Sequence, residues 1–127
     1  MNWIYASFLL RREDLWIQIS FLEQKGYSIL ERDWKWGKRD LDIIAVTEDR
    51  QTLVFVEVKT RSSEDLQEPE EAVDNAKMKN LAIAANAYVK AMNAMQDIRF
   101  DIVSIIGKRK CLERIEHIED AFNPLLI

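Results

Sequence analysis

Thr52-Leu53-Val54-Phe55-Val56-Glu57-Val58-Lys59-Thr60 is the stretch whose reading decides the fold. Leucine, valine and phenylalanine fill positions 53 to 56, and valine returns at 58, which is the composition of a strand. Apolar residues on both alternating sets of positions predict cover on both faces, as in the centre of a sheet. Two charges break the run. Side chains alternate along a strand, so Glu57 and Lys59 project from one face and Val56 and Val58 from the other. Charged groups in such a strand are costly to bury unless something compensates them.

Working outward, Asp40 to Thr47 predicts a second strand carrying Ile43-Ile44-Ala45-Val46, joined to the first by the polar turn Glu48-Asp49-Arg50-Gln51. Tyr27 to Trp36 reads as extended. Glu13 to Lys25 reads as a helix, with Leu15, Ile19 and Leu22 on one stripe and Gly26 as its stop. On the other side, Arg61 to Glu68 reads as a polar loop, and Pro69 with Glu70 and Glu71 as the start of a helical turn. Asp74 is placed to cap a longer helix running to about Asn93, with Leu81, Ala84 and Tyr88 on one side. Phe100 to Ile106 predicts a further strand, Cys111 to His117 a last short one, and Ile118 to Phe122 a closing helical turn. Helix, three strands, helix, then one or two strands implies an α/β fold, a mixed sheet flanked by helices.

Asp42 stands just before its own apolar run, and the short turn between the two strands brings it toward Glu57. Two neighbouring carboxylates repel and raise each other's proton affinity. A divalent cation relieves that repulsion, and hard oxygen ligands suit magnesium or manganese. Such an ion polarises a phosphoryl oxygen and supplies or positions a hydroxide. Lys59 is placed to orient the attacking water or to stabilise charge on the phosphate. An Asp, a spacer and Glu-x-Lys on a buried strand form the PD-(D/E)XK nuclease signature. The competing reading of the same residues is a Glu57–Lys59 surface pair on an edge strand.

The composition bounds these readings. The 127 residues, 48% hydrophobic and 31% charged, with two prolines and three glycines, predict one globular domain over 1–127. Cys111 is the only cysteine, which excludes an internal disulfide and suits the cytoplasm. The apolar run from Trp3 to Leu10 is followed, not preceded, by Arg11 and Arg12, and it is too short to span a bilayer. It reads as helix or partner contact, so no membrane association is expected. A net charge of −4 excludes binding of nucleic acid through bulk charge and leaves local patches: Lys35 with Lys38 and Arg39, Lys59 with Arg61, Lys77 with Lys79, and Lys108 to Lys110. His117, the single histidine, reads as structural. Trp34 and Trp36 share a face, where they either cover the sheet or stack on unpaired bases.

The wider sequence resembles the YraN family of bacteria. The resemblance is carried by Gly26-Tyr27-Ser28-Ile29-Leu30-Glu31-Arg32-Asp33-Trp34, by Asp42-Ile43-Ile44-Ala45, and by Leu53 through Ser63. It continues through Glu71-Ala72-Val73, Lys77, Arg99-Phe100-Asp101-Ile102-Val103 and Glu116-His117-Ile118-Glu119-Asp120-Ala121-Phe122. That family is described as predicted endonucleases distantly similar to archaeal Holliday-junction resolvases. The resemblance implies a restriction-endonuclease-like fold with an α-β-β-β-α-β core, Asp42 and Glu57 as metal ligands, and Lys59 as the catalytic lysine. Lys77 coincides with a lysine of the family pattern; with Arg61 and Lys79 it is a candidate for phosphate contact. Three positions depart from the pattern: Asp40 stands where a glutamate is usual, Leu15 where the first helix usually carries one (Glu13 and Asp14 lie nearby), and Gln67 where a glycine is usual.

The expectation is therefore a Mg2+- or Mn2+-dependent endonuclease-like protein acting on DNA, on branched or damaged structures, with self-association open. Two alternatives stand beside it. One is a non-catalytic nucleic-acid-binding module that keeps the nuclease fold, and the other an interaction protein using the apolar N-terminus and the aromatic face.

Overall fold

The computed structural model describes residues 16–62, 73–108 and 111–124. The expectations for Trp3–Leu10, Glu13 to Leu15, Gln67 and Pro69–Glu71 lie outside these residues. The described residues begin with α1 (Trp16–Gln24), followed by β1 (Ser28–Trp36), β2 (Arg39–Val46) and β3 (Thr52–Ser62). After α2 (Asn75–Met92) come β4 (Asp97–Lys108) and β5 (Cys111–Phe122). The five strands lie in chain order in one sheet. Only the β3–β4 pair is parallel, because α2 returns the chain between them. The α-β-β-β-α-β order expected from the sequence is present, with β5 added at the edge.

Among the described residues, each face of the sheet carries one helix. On one face Leu22 of α1 and Tyr27 pack with Ile43, Ala45, Val54, Val56 and Val103. On the other, Leu81, Ala84, Ala85 and Tyr88 of α2 pack on Ile44, Val46, Leu53, Phe55 and Ile102. β3 is covered on both faces, as its composition requires. Fully burying aliphatic side chains of this size contributes roughly 1.5–3 kcal/mol each.

Local chemistry sets the helix ends. Gly26 follows α1 at φ 95°, a conformation costly for residues with a Cβ, and there the chain turns into β1. Asp74 caps α2 through its carboxylate, which accepts from the Lys77 backbone N–H at 2.9 Å. Asn93 ends α2 in the left-handed region at φ 50°.

Two expectations are corrected. Ile118 to Phe122 is not a helical turn but the end of β5, which runs unbroken over twelve residues. Asp120, at φ 51°, marks a register shift there that brings Ile118, Ala121 and Phe122 all against the α2-side core. The polar loop expected from Arg61 begins later, because β3 continues beside β4 as far as Ser62↔Gly107.

Candidate metal centre

The antiparallel β2–β3 register runs from Val46↔Leu53 to Ile43↔Val56. One step further it would pair Asp42 with Glu57, and there the ladder changes character. The Asp42 carboxylate, not a backbone carbonyl, accepts from the Val58 backbone N–H at 2.8 Å. That bond fixes Asp42 at the edge of β3, next to Glu57. Both side chains are buried, with Asp42 2% and Glu57 5% exposed.

Asp42 and Glu57 lie close enough for each to act on the other's charge. Burial, and after it the charge of Asp42, push the Glu57 pKa up to about 7, against the opposing pull of Lys77 and Lys59. The opposition is weak for a geometric reason. Lys77 Nζ lies 3.6 Å from Glu57 Oε2 and Lys59 Nζ 4.0 Å from Oε1, both beyond hydrogen-bonding distance, and both lysines are about a third exposed to water.

Asp42, Glu57, Lys59 and Lys77 are thus brought together. Arg61 is drawn off along the sheet to Glu116 of β5, at 3.5 Å. Lys79 is not brought in. It follows Lys77 by two residues, about 200° around the helix, and lines a hollow with Ala82, Ile83, Asn86 and Pro124.

Sequence reasoning missed two neighbours. Ser104 on β4 stands in register with Lys59, fully buried, with its hydroxyl unpartnered. Its one signal was a polar residue inside the apolar run Ile102-Val103-Ser104-Ile105-Ile106. Asn80 gave no signal; one turn beyond Lys77, its Oδ1 accepts from Arg39 Nε at 3.0 Å. Beside it lies a cleft of about 360 Å³ lined by Lys38, Arg39, Asp40, Lys77, Asn80 and Leu81.

His117, read as structural, is held in a buried network on the α1 face. Asp101 Oδ2 takes bonds from His117 Nε2 at 2.7 Å and an Arg99 Nη at 2.9 Å, while its Oδ1 takes Arg99 Nε and the Asp120 N–H. Tyr27 accepts from Arg99 at 2.6 Å. These contacts tie β4 and β5 to the start of β1.

The profile of the Uncharacterised protein family UPF0102 matches residues 16–105. The chain is 48% identical to a UPF0102 protein of Parabacteroides distasonis, over 81% of this chain and 83% of that one. It is also 48% identical to one from Flavobacterium psychrophilum, over 87% and 88% of the two chains, and 45% identical to one from Bacteroides thetaiotaomicron, over 85% and 87%. The chain belongs to UPF0102. The matched span holds the two described helices, β1 to β3, most of β4 and Asp42, Glu57, Lys59 and Lys77, so this UPF0102 chain carries its candidate centre inside the part that defines the family. A solved structure, Pyrococcus furiosus SfsA in complex with Ca2+, aligns at 13% identity and a TM-score of 0.26, and the chain spans 60% of its length. No described helix is long and apolar enough to cross a membrane.

The donor set fits a hard divalent cation. Two buried carboxylates side by side repel each other and offer hard oxygen donors, and a Mg2+ or Mn2+ ion would relieve that repulsion once Glu57 has lost its proton. Among the described residues, no third histidine, cysteine, aspartate or glutamate joins them.

Proposed function

We propose that this UPF0102 protein is a divalent-metal-dependent phosphodiesterase of the nuclease type acting on DNA. The observation that carries the reading is the buried Asp42–Glu57 pair with Lys59 and Lys77 beside it. Buried like charges are retained at a cost, and a site that binds a cation gains from them. Asp42 and Glu57 would hold the ion, which when bound would polarise the phosphodiester and lower the pKa of water. Asp42 is kept in place by the Val58 N–H, so one ligand is positioned before any ion arrives. Lys59, on the face of Glu57, places a positive charge where charge builds on the phosphate. Lys77 supplies a second one from the first turn of α2. It acts through its side chain, because its backbone N–H is committed to Asp74.

A specific observation favours a second reading, a binding module without turnover. Leu15 stands where the resembled family carries an acid, and no further acid joins the pair among the described residues. One experiment separates the two. The purified chain is incubated with single-stranded, duplex and four-way-junction DNA and either Mg2+ or Mn2+, beside Asp42→Asn and Lys59→Ala. Nicking by the wild type that both variants lose supports the hydrolytic reading. Binding without cleavage in every arm supports the module.

A further inference from the structure

The end of the β1–β2 hairpin is built unlike the rest of the surface. Trp34 packs edge-on against Tyr88 of α2, with ring centroids 5.2 Å apart. Trp36, two residues on, remains 51% exposed. It pairs directly with Arg39 across a two-residue loop. Gly37, at φ 62°, takes the first loop position, where a tight hairpin favours glycine. Trp36 and Arg39 are therefore held side by side by a short, rigid connection rather than by a long loop. Asn80 engages Arg39 Nε and leaves the two Nη groups of the guanidinium for another partner. Lys35 lies 3.9 Å from Asp40, the one acid among the described residues that line the adjoining cleft. Lys38, Arg39 and Lys77 make the remaining charge of that cleft positive, on a chain whose net charge is −4. Lys77 also reaches Glu57, so the cleft opens beside the carboxylates.

We propose that this hairpin end is a holding site for a DNA strand with unpaired bases, in which Trp36 stacks on a base while Lys38 and Arg39 take backbone phosphates. A cationic groove with an aromatic side chain at its rim is the arrangement that binds single strands without reading their sequence. A paired base inside a duplex offers no free face to Trp36, so the site favours unpaired or frayed DNA. The proposal rests on the reading of Asp42 and Glu57 as a nuclease centre only for what the held strand is presented to.

The test is fluorescence anisotropy of the full chain with labelled oligothymidine and with a blunt duplex, in chelator so that no cleavage intervenes. The wild type should bind oligothymidine the more tightly. Trp36→Ala should lose roughly 5- to 150-fold on oligothymidine and little on the duplex, and Trp36→Phe, which keeps a ring face, should retain most of the affinity. Lys38→Glu should weaken both ligands and lower the salt slope by about one. Far-UV circular dichroism checks that these exposed positions leave the fold intact. Wild-type affinity in Trp36→Ala, equal losses by Trp36→Ala on both ligands, or a wild-type preference for duplex would each overturn the proposal. The same oligonucleotides with Mn2+ separate it from the nuclease reading. Loss of single-strand binding in Trp36→Ala, without cleavage by any form, leaves the hairpin site standing and removes the hydrolytic reading. Cleavage by the wild type and Trp36→Ala alike, with equal affinity, does the reverse.

Discussion

Glu57→Gln should make the metal-free protein more stable at pH 8, although it deletes a charge with two lysines beside it. The wild-type Glu57 pKa is about 7 in the folded chain against an ordinary 4.5. Between those values the folded state keeps a proton that the unfolded state has released, so stability falls as pH rises through this window. At roughly 1.4 kcal/mol for each pH unit between the two, the group costs about 3 kcal/mol once the pH is above 7. The attraction to Lys59 and Lys77 is already contained in that figure, and for partners this exposed it is worth no more than about 1 kcal/mol a pair. Glutamine has no proton to lose, so the difference in unfolding free energy between the two chains should open by about 2–3 kcal/mol from pH 4.5 to 8. That corresponds to on the order of 5–10 °C in melting temperature. Urea melts in chelator across the pH range measure it, and taking the difference cancels carboxylates common to both chains. Mn2+ at about 100 times its Kd should return about 2.7 kcal/mol to the wild type at pH 8 and nothing to the variant. A pH-independent difference, or a variant several degrees less stable at pH 8, would refute the reasoning and make Glu57 one end of a structural ion pair.

Two other substitutions test the frame around the site. Gln18 of α1 is fully buried with neither amide atom hydrogen-bonded, so Gln18→Leu should raise stability by roughly 1–3 kcal/mol in urea melts. Asp101→Ala should remove roughly 3–5 kcal/mol, because it strands Arg99 and the buried His117 imidazole together; a loss under 1 kcal/mol would mean that the network does not tie β4 to β5.

What the sequence made legible, and what it hid, follows from the range of the interaction involved. The core strands were legible because β3 is covered on both faces and its apolar run shows it. Asp74 was legible because capping is settled within three residues of chain. The end of β5 was misread because a bulge disguises a strand. Once Asp120 turns left-handed, Ile118, Ala121 and Phe122 all meet the core, at the three- and four-residue spacing of a helix. Lys79 was expected beside Lys77 because both are cations near a helix start. Two positions along a helix turn a side chain by about 200°, and that rotation carries Lys79 away from the side where Lys77 meets Glu57. The bond from Val58 N–H to Asp42 spans sixteen residues and left no local mark.

That bond also explains why the acidic pair sits where it does. A continuous β2–β3 ladder would satisfy the Val58 N–H with a backbone carbonyl. At Asp42 the ladder gives way, a side chain replaces a carbonyl as acceptor, and Arg39 to Leu41 continue along β1 alone. The departure does two things at once. It holds Asp42 against Glu57, in the buried setting that raises Glu57's proton affinity. It also carries the β1–β2 hairpin over the first turns of α2, where Arg39 meets Asn80 and the cationic cleft forms. Three of the chain's cations, Lys38, Arg39 and Lys77, thereby stand together beside the two buried acids.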